Sequence, residues 1–129
     1  MRKVQFAVGI AMVLIFLATG AYMHFHLGHL HGFPLALRMV YRASHINLLL
    51  IGAANVFASR RIERVIERLA SALLLAASLF FVIAFIVEPG FADLYRPWTR
   101  LGVYATFAAI LLEVAAVSYF RRVDSQEEP

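Results

Sequence analysis

Four long runs of mostly apolar residues dominate this chain, and short polar stretches separate them. The runs cover residues 4–23, 35–58, 69–87 and 101–120. A helix rises about 1.5 Å per residue, so about twenty residues cross the roughly 30 Å hydrocarbon core of a bilayer. The pattern therefore predicts an all-α membrane protein: one transmembrane domain over residues 1–129, folded as a four-helix transmembrane bundle with antiparallel neighbours.

The polar stretches carry the signals that separate helices. Gly28, Gly32 and Pro34 predict an irregular connector after the first run, and Glu88-Pro89-Gly90 ends the third. Residues 121–129 are polar and predict a flexible tail. The first run alternatively suits a signal peptide, because Met-Arg-Lys precedes it. It is, however, longer than the roughly 7–15 apolar residues of such a peptide, so we expect a retained helix.

Composition excludes several classes of site. Apolar residues make up 62% of the chain, above the roughly 45–50% of soluble domains. With no cysteine, the chain has no disulfide, thiolate metal site or iron–sulfur cluster. The formal net charge is +4, but the basic residues stand at the ends of the apolar runs. We therefore expect the lipid bilayer as a partner, with other membrane subunits or a second copy, and no nucleic acid.

The basic residues also predict an orientation. With the N-terminus inside, the cytoplasmic side holds eight of them: Arg2, Lys3, Arg60, Arg61, Arg64, Arg68, Arg121 and Arg122. The outer side holds four: Arg38, Arg42, Arg96 and Arg100. Because cytoplasmic loops carry the excess of lysine and arginine, we expect both termini in the cytoplasm of a bacterial inner (plasma) membrane. The connector after the first run then faces outward.

That connector contains the first candidate site, a cluster of four histidines: His24, His26, His29 and His31. Neutral imidazole is a good ligand for borderline metals, so the cluster predicts a transition-metal site for copper or zinc. On a continuous helix the four would lie on two opposite faces, and a single site therefore requires a broken backbone. The bland alternative is a set of polar residues at the membrane interface.

The second candidate site lies inside the second run. Arg38, Arg42 and His45 share one helical face at spacings of four and three, and could bind the anionic group of a cofactor. His45 lies roughly 5 Å to the outer side of the midplane, with Thr19 and Tyr104 at similar depth. The cofactor-binding set is thus Arg38, Arg42, His45 and Tyr104. The alternative for His45 is a neutral imidazole bonded to Thr19, Tyr104 or a carbonyl.

A second polar layer is expected on the inner side of the midplane. Glu113 is the only charged residue within the fourth run, and Asn55 and Ser71 lie a few ångströms deeper. An ionisable group in a span suggests a function, here a proton relay or a binding role. The alternative is a protonated carboxyl hydrogen-bonded to Asn55 or a serine.

Small residues also predict two packing faces, since they let membrane helices approach closely. The first run offers Ala7, Ala11, Leu14, Ala18 and Ala21. The fourth offers Gly102, Thr106, Ala109, Glu113 and Ala116. Glu88, Asp93 and Arg96 are expected to form ordinary surface pairs in the loop between the last two runs.

Haem b is a less favoured cofactor. Only the second run carries a histidine well inside the membrane, and His24 and His26 stand roughly 10 Å or more further out. No phosphate loop, Ser-His-Asp set or HExxH motif occurs, so no enzymatic activity is assigned.

The sequence favours a small multi-pass accessory protein whose histidine-rich outer face binds a transition metal or redox cofactor for a larger membrane complex. Two alternatives stay open. One is a purely structural helper subunit, and the other is a small proton- or ion-translocating bundle that uses Glu113 and His45.

Overall fold

The regular structure of the chain is helical throughout the residues that the computed structural model describes, which are 1–60, 64–91 and 95–124. Four helices follow one another: α1 (Arg2–Phe25), α2 (Leu35–Ala58), α3 (Val65–Val87) and α4 (Pro97–Asp124). Tight turns at Gly28–Leu30 and Glu88–Gly90 follow α1 and α3. Pro34 precedes α2 and Pro97 begins α4, where the N–H that proline lacks needs no helical partner.

The predicted second run coincides with α2, and the other helices extend beyond their predicted runs. The helix α4 continues to Asp124, so residues 121–124 belong to it and not to the predicted tail. Residues 125–129, the rest of that tail, lie outside the described residues, as do Arg61 and Asp93.

Within the described residues, three helices are long and apolar enough to cross a membrane: α1, α3 with the turn after it, and α4 to Tyr119. The sequence predicted four such spans, and α2 does not reach the same apolarity. The reason is its N-terminal part, where Arg38, Arg42, His45 and Asn47 interrupt the apolar run.

Each helix is antiparallel to the next. Near one end of the bundle Gly9 of α1 meets Gly52 of α2, and near the other Thr19 meets His45. Asn55 of α2 bonds Ser78 of α3, and Phe81 of α3 packs on Gly102 of α4. The helix starts and ends thus alternate between two ends of the molecule. We call them the basic end, with Arg2, Lys3, Arg60 and Arg68, and the histidine end, with His24, His29, Glu88 and Arg96.

The helix α3 lies at the centre. In the apolar segment of α3, 44% of the residues are buried, against 17% in the apolar segments of α1 and α4. Leu74, Ala77 and Phe81 of α3 belong to the core, together with Leu48 and Ile51 of α2. The outer helices each pack mainly on one neighbour, α1 on α2 and α4 on α3.

Close backbone contact joins α1 to α2. A Cβ atom on Gly9 would stand 2.9 Å from the carbonyl oxygen of Gly52 and 2.7 Å from Cγ2 of Val56. Such distances leave no room for any side chain at Gly9. The two backbones therefore touch at this crossing.

The packing face predicted for α4 is confirmed, because Gly102, Ala109 and Ala116 are buried and Thr106 and Glu113 are partly buried. The face predicted for α1 is wrong. All five of its residues are exposed, namely Ala7, Ala11, Leu14, Ala18 and Ala21. The buried face of α1 instead carries Gln5, Gly9 and Met12.

Candidate functional site

Two histidines of the predicted cluster meet at the histidine end. His24 ends α1, and His29 lies in the turn that follows. The Nδ1 atom of His24 and the Nε2 atom of His29 are 2.5 Å apart, and the ring planes are nearly perpendicular at 80°. Both side chains are exposed. The two rings therefore share a hydrogen bond, in which one nitrogen donates and the other accepts, at a position open to solvent.

A left-handed turn makes this contact. Gly28, His29 and Leu30 have φ angles of +50°, +56° and +65°, and Gly32 has +85°. Glycine adopts such angles freely, whereas each non-glycine residue costs about 1–2 kcal/mol in this region. The turn is closed by backbone hydrogen bonds from Leu30 N to Leu27 O, at 2.7 Å, and from His31 N to Gly28 O, at 3.1 Å. Two residues are therefore strained here: His29, which belongs to the histidine pair, and Leu30, which follows it.

Leu30 holds the strained turn in place. Its side chain is only 2% exposed, while His29 beside it is exposed. Burying a leucine side chain contributes about 1.5–3 kcal/mol, which is comparable with the cost of the left-handed backbone. Leu30 anchors the turn inward, and the same turn points His29 outward to His24.

The other two histidines stand apart from this pair. His26 tilts against the ring of Tyr22, with 5.4 Å between ring centroids, and His31 is exposed at the end of the turn. Across the described residues, no three histidine or acidic side chains lie together in a group that could hold a metal ion. The structure thus brings together two of the four predicted ligands.

His45 faces α1. Its ring stacks on Phe16, with centroids 4.1 Å apart and planes at 17°, and its Nδ1 atom is 2.9 Å from Oγ1 of Thr19. Thr19 donates its hydroxyl proton to the carbonyl oxygen of Phe16 at 3.0 Å, so Nδ1 of His45 is the donor to Thr19. The Nε2 atom lies against Gly20, where an added Cβ would be 3.5 Å away. The predicted Thr19 contact is therefore present, and it fixes the imidazole on α1.

The other residues of the predicted cofactor set are spread out. Arg42 is exposed and Arg38 is partly buried, with its Nε atom buried and without a hydrogen-bond partner in the described part of the chain. Tyr104 is on α4 and 68% exposed, whereas His45 faces α1 on the other side of α2. The structure joins His45 to Thr19 but not to Tyr104.

The most completely paired polar group of the histidine end is Glu88, which is 2% exposed. Its Oε1 accepts from the backbone N–H of Thr99 at 2.7 Å. Its Oε2 accepts from the Thr99 hydroxyl at 2.6 Å and from Nε of Arg96 at 3.2 Å. Arg96 also donates from Nη2 to Oγ of the buried Ser44, at 3.1 Å. We call these four residues the Glu88 cluster; it ties the end of α3 to the start of α4 and to α2.

The sequence interpretation missed most of this cluster. It paired Glu88 with Arg96 but placed them on an exposed surface, and it left Ser44 and Thr99 out. One signal was present: Thr99 is two residues after Pro97, in the first turn of α4, where the free N–H groups attract a carboxylate. Glu88, nine residues before Pro97 in the preceding turn, was therefore a candidate cap.

The expected inner polar layer is divided between two places. Asn55 donates from Nδ2 to Ser78 Oγ at 2.9 Å and to the carbonyl oxygen of Ile51 at 2.8 Å, all within the buried interior. Glu113 is partly buried and lines a groove of about 410 Å³ between α2 and α4, with Arg60 at its rim. Ser71 is buried and its Oγ has no hydrogen-bond partner among the described residues.

We compared the chain with family models, curated proteins and solved structures, and none of them matches it. The functional interpretation therefore rests on the geometry alone.

Proposed function

We propose that this protein is a membrane-embedded accessory protein that binds a transition metal ion at its histidine end. The observation that carries the proposal is the approach of His24 Nδ1 to His29 Nε2. Imidazole nitrogens are the commonest protein ligands for Zn²⁺ and Cu²⁺. Two of them already converge at a solvent-exposed point, on a turn whose backbone is strained at His29.

A metal ion fits between the rings after a small movement. Two nitrogens bound to a tetrahedral Zn²⁺ at about 2.0–2.1 Å lie about 3.3 Å from each other. The present contact is a hydrogen bond, so metal binding would require loss of its proton and a small opening of the rings. Both side chains are exposed.

Two protein ligands are fewer than the four of a structural zinc site. The remaining positions would be filled by water or by a partner subunit. An incomplete ligand set suits an ion that is passed on, and this supports an accessory role beside a larger membrane complex.

The same proposal includes the membrane itself. We propose that α2 crosses the bilayer with the other three helices, because three of its polar side chains find partners inside the bundle. His45 bonds Thr19, Ser44 accepts from Arg96, and Asn55 bonds Ser78. Pairing of this kind is what allows polar residues within a span. The excess of arginine and lysine at the basic end supports a cytoplasmic location of both termini in a bacterial inner membrane.

The test is a calorimetric titration of the purified full chain in detergent with Zn²⁺ and with Cu²⁺. We expect the double variant His24→Ala/His29→Ala to lose at least about tenfold in affinity, which corresponds to about 1.4 kcal/mol. The matched control is His26→Ala/His31→Ala, which removes as many imidazoles from the same connector and should bind within a few-fold of wild type. Equal affinity in the two double variants would refute a site centred on the pair.

A purely structural subunit is the second candidate, and one observation favours it. The Glu88 cluster and the Asn55–Ser78 bond satisfy buried polar groups within the bundle and leave them no role towards a ligand. This alternative predicts no heat of metal binding from the wild-type chain.

A further inference from the structure

A pocket lies at the basic end of the molecule, between the starts of α1 and α3. Its volume is about 470 Å³, within the roughly 300–1,000 Å³ range of small-molecule sites. In the described part of the chain it is lined by Met1, Arg2, Lys3 and Arg68. We call it the basic pocket. Three cationic side chains from two helices share one concave surface, which is the charge pattern of an anion site.

The acidic residue nearest in sequence to these cations is Glu67. Its Oε2 atom accepts a hydrogen bond from the backbone N–H of Arg64 at 2.9 Å, so this carboxylate caps the first turn of α3. Among the described residues, this one carboxylate stands beside three cations, Arg2, Lys3 and Arg68, and the described surface is net positive.

Exposed apolar side chains adjoin the cations. Val4 follows Lys3 and is 57% exposed, and Leu69 follows Arg68 and is 55% exposed. The exposed part of each helix therefore passes from cationic to apolar side chains within its first turns. A small soluble anion needs only the charges, whereas a phospholipid presents a phosphate and an acyl chain side by side. The combination favours a lipid.

We propose that the basic pocket binds the phosphate headgroup of an anionic phospholipid, whose acyl chains lie along the exposed apolar side chains next to it. Basic pockets between membrane helices on the cytoplasmic side recognise anionic headgroups, and each lysine or arginine near the surface strengthens binding about fivefold. This inference shares with the proposed function only the membrane location of the helices, and it involves none of the histidines.

The experiment is native mass spectrometry of the full chain, released from detergent after titration with phosphatidylglycerol or, in parallel, phosphatidylcholine, with no metal added. The wild-type chain should retain phosphatidylglycerol in preference to phosphatidylcholine. The variant Arg2→Gln/Lys3→Gln/Arg68→Gln should lose about 100-fold in apparent affinity, from about fivefold for each cation. The control is Arg42→Gln/Arg100→Gln, which removes two exposed arginines away from the basic end and should retain the lipid.

Two further arms keep the test decisive. Lys3→Gln alone changes one exposed side chain and should weaken retention about fivefold even if the triple variant fails to fold. Inorganic phosphate in excess should leave the lipid bound. Equal retention by the pocket variant and the control, equal retention of the two lipids, or displacement by inorganic phosphate would each overturn the proposal. Loss of zinc binding in the histidine variants bears on the metal site only, so the two proposals fail separately.

Discussion

The histidine end of the bundle contains two polar clusters of opposite character. In the Glu88 cluster the carboxylate is 2% exposed, and both of its oxygens accept hydrogen bonds. In the histidine pair, both rings are exposed and the backbone at His29 is in the left-handed region. The first arrangement stabilises the fold. The second adds strain to the fold and leaves two imidazole rings exposed to solvent, as a binding site does.

The difference teaches where to look for function in a small helical protein. The two clusters do not differ in the polarity of their residues, because each contains ionisable side chains and both lie at the same end of the molecule. What separates them is pairing and exposure. We therefore expect changes in the Glu88 cluster to alter stability, and changes in the histidine pair to alter metal binding.

The largest expected effect follows from Glu88→Ala. Removing this carboxylate leaves the Arg96 guanidinium and the first turn of α4 without their buried acceptor. Breaking a fully buried pair costs about 3–5 kcal/mol, and Arg96 is 25% exposed, so we expect about 2–4 kcal/mol. Denaturant unfolding in detergent, followed by circular dichroism, measures it.

Glu88→Gln is the companion variant. It keeps the shape and the acceptor oxygen of the side chain and removes the charge, so it should recover part of the lost stability. Zinc affinity should be unchanged in any variant of Glu88 that folds. A large fall in zinc affinity with intact stability would break the proposed separation of the two clusters.

The next effect is expected from Leu30→Ala. Leu30 is buried beneath the left-handed turn, and truncating a buried leucine costs about 2–5 kcal/mol, with the lower part of that range expected for a connector. Because the turn would lose its anchor, zinc affinity should fall as well. Calorimetry and unfolding on the same preparation test both. The matched control is Leu35→Ala, a leucine that is 61% exposed at the start of α2 and should leave both properties nearly unchanged.

The smallest effect is expected from Ser44→Ala. The hydroxyl of Ser44 accepts one hydrogen bond from Nη2 of Arg96, which also donates to Thr99. Loss of one such bond costs about 0.5–1.5 kcal/mol. The thermal midpoint in detergent should fall slightly. A loss as large as that of Glu88→Ala would show that Ser44, and not the carboxylate, holds the cluster together.

Much of the helix order was accessible from the sequence, because apolar runs and proline or glycine signals mark where helices begin and end. The packing face of α4 could also be predicted, since its small residues share one helical face with Glu113, the only charged residue of that run. The face of α1 was not, and its predicted alanines are exposed. In a span, residues that face lipid and residues that face protein are both apolar, so periodicity does not distinguish the faces. Gly9 indicates the packing face of α1 only when Gly52 is known to lie opposite it.

The residues of the candidate site could be predicted from the sequence, but their arrangement could not. A broken backbone at the histidine connector was expected from Gly28 and Gly32, yet the pairing of His24 with His29 depends on a left-handed conformation at His29 and Leu30. Non-glycine residues adopt this conformation uncommonly, so the local sequence does not predict the turn. The burial of Leu30, a tertiary contact, selects it.

The most direct test of the central claim is the thermal midpoint of wild type and of His29→Gly, each measured with and without Zn²⁺. Glycine relieves the left-handed strain but frees the unfolded chain, so without zinc the variant should unfold within about 1 kcal/mol of wild type. Zinc should raise the midpoint of wild type, because a ligand that binds only the folded state stabilises it, and should leave the variant unchanged. A variant that loses stability without zinc and keeps the full zinc-induced rise would contradict the account.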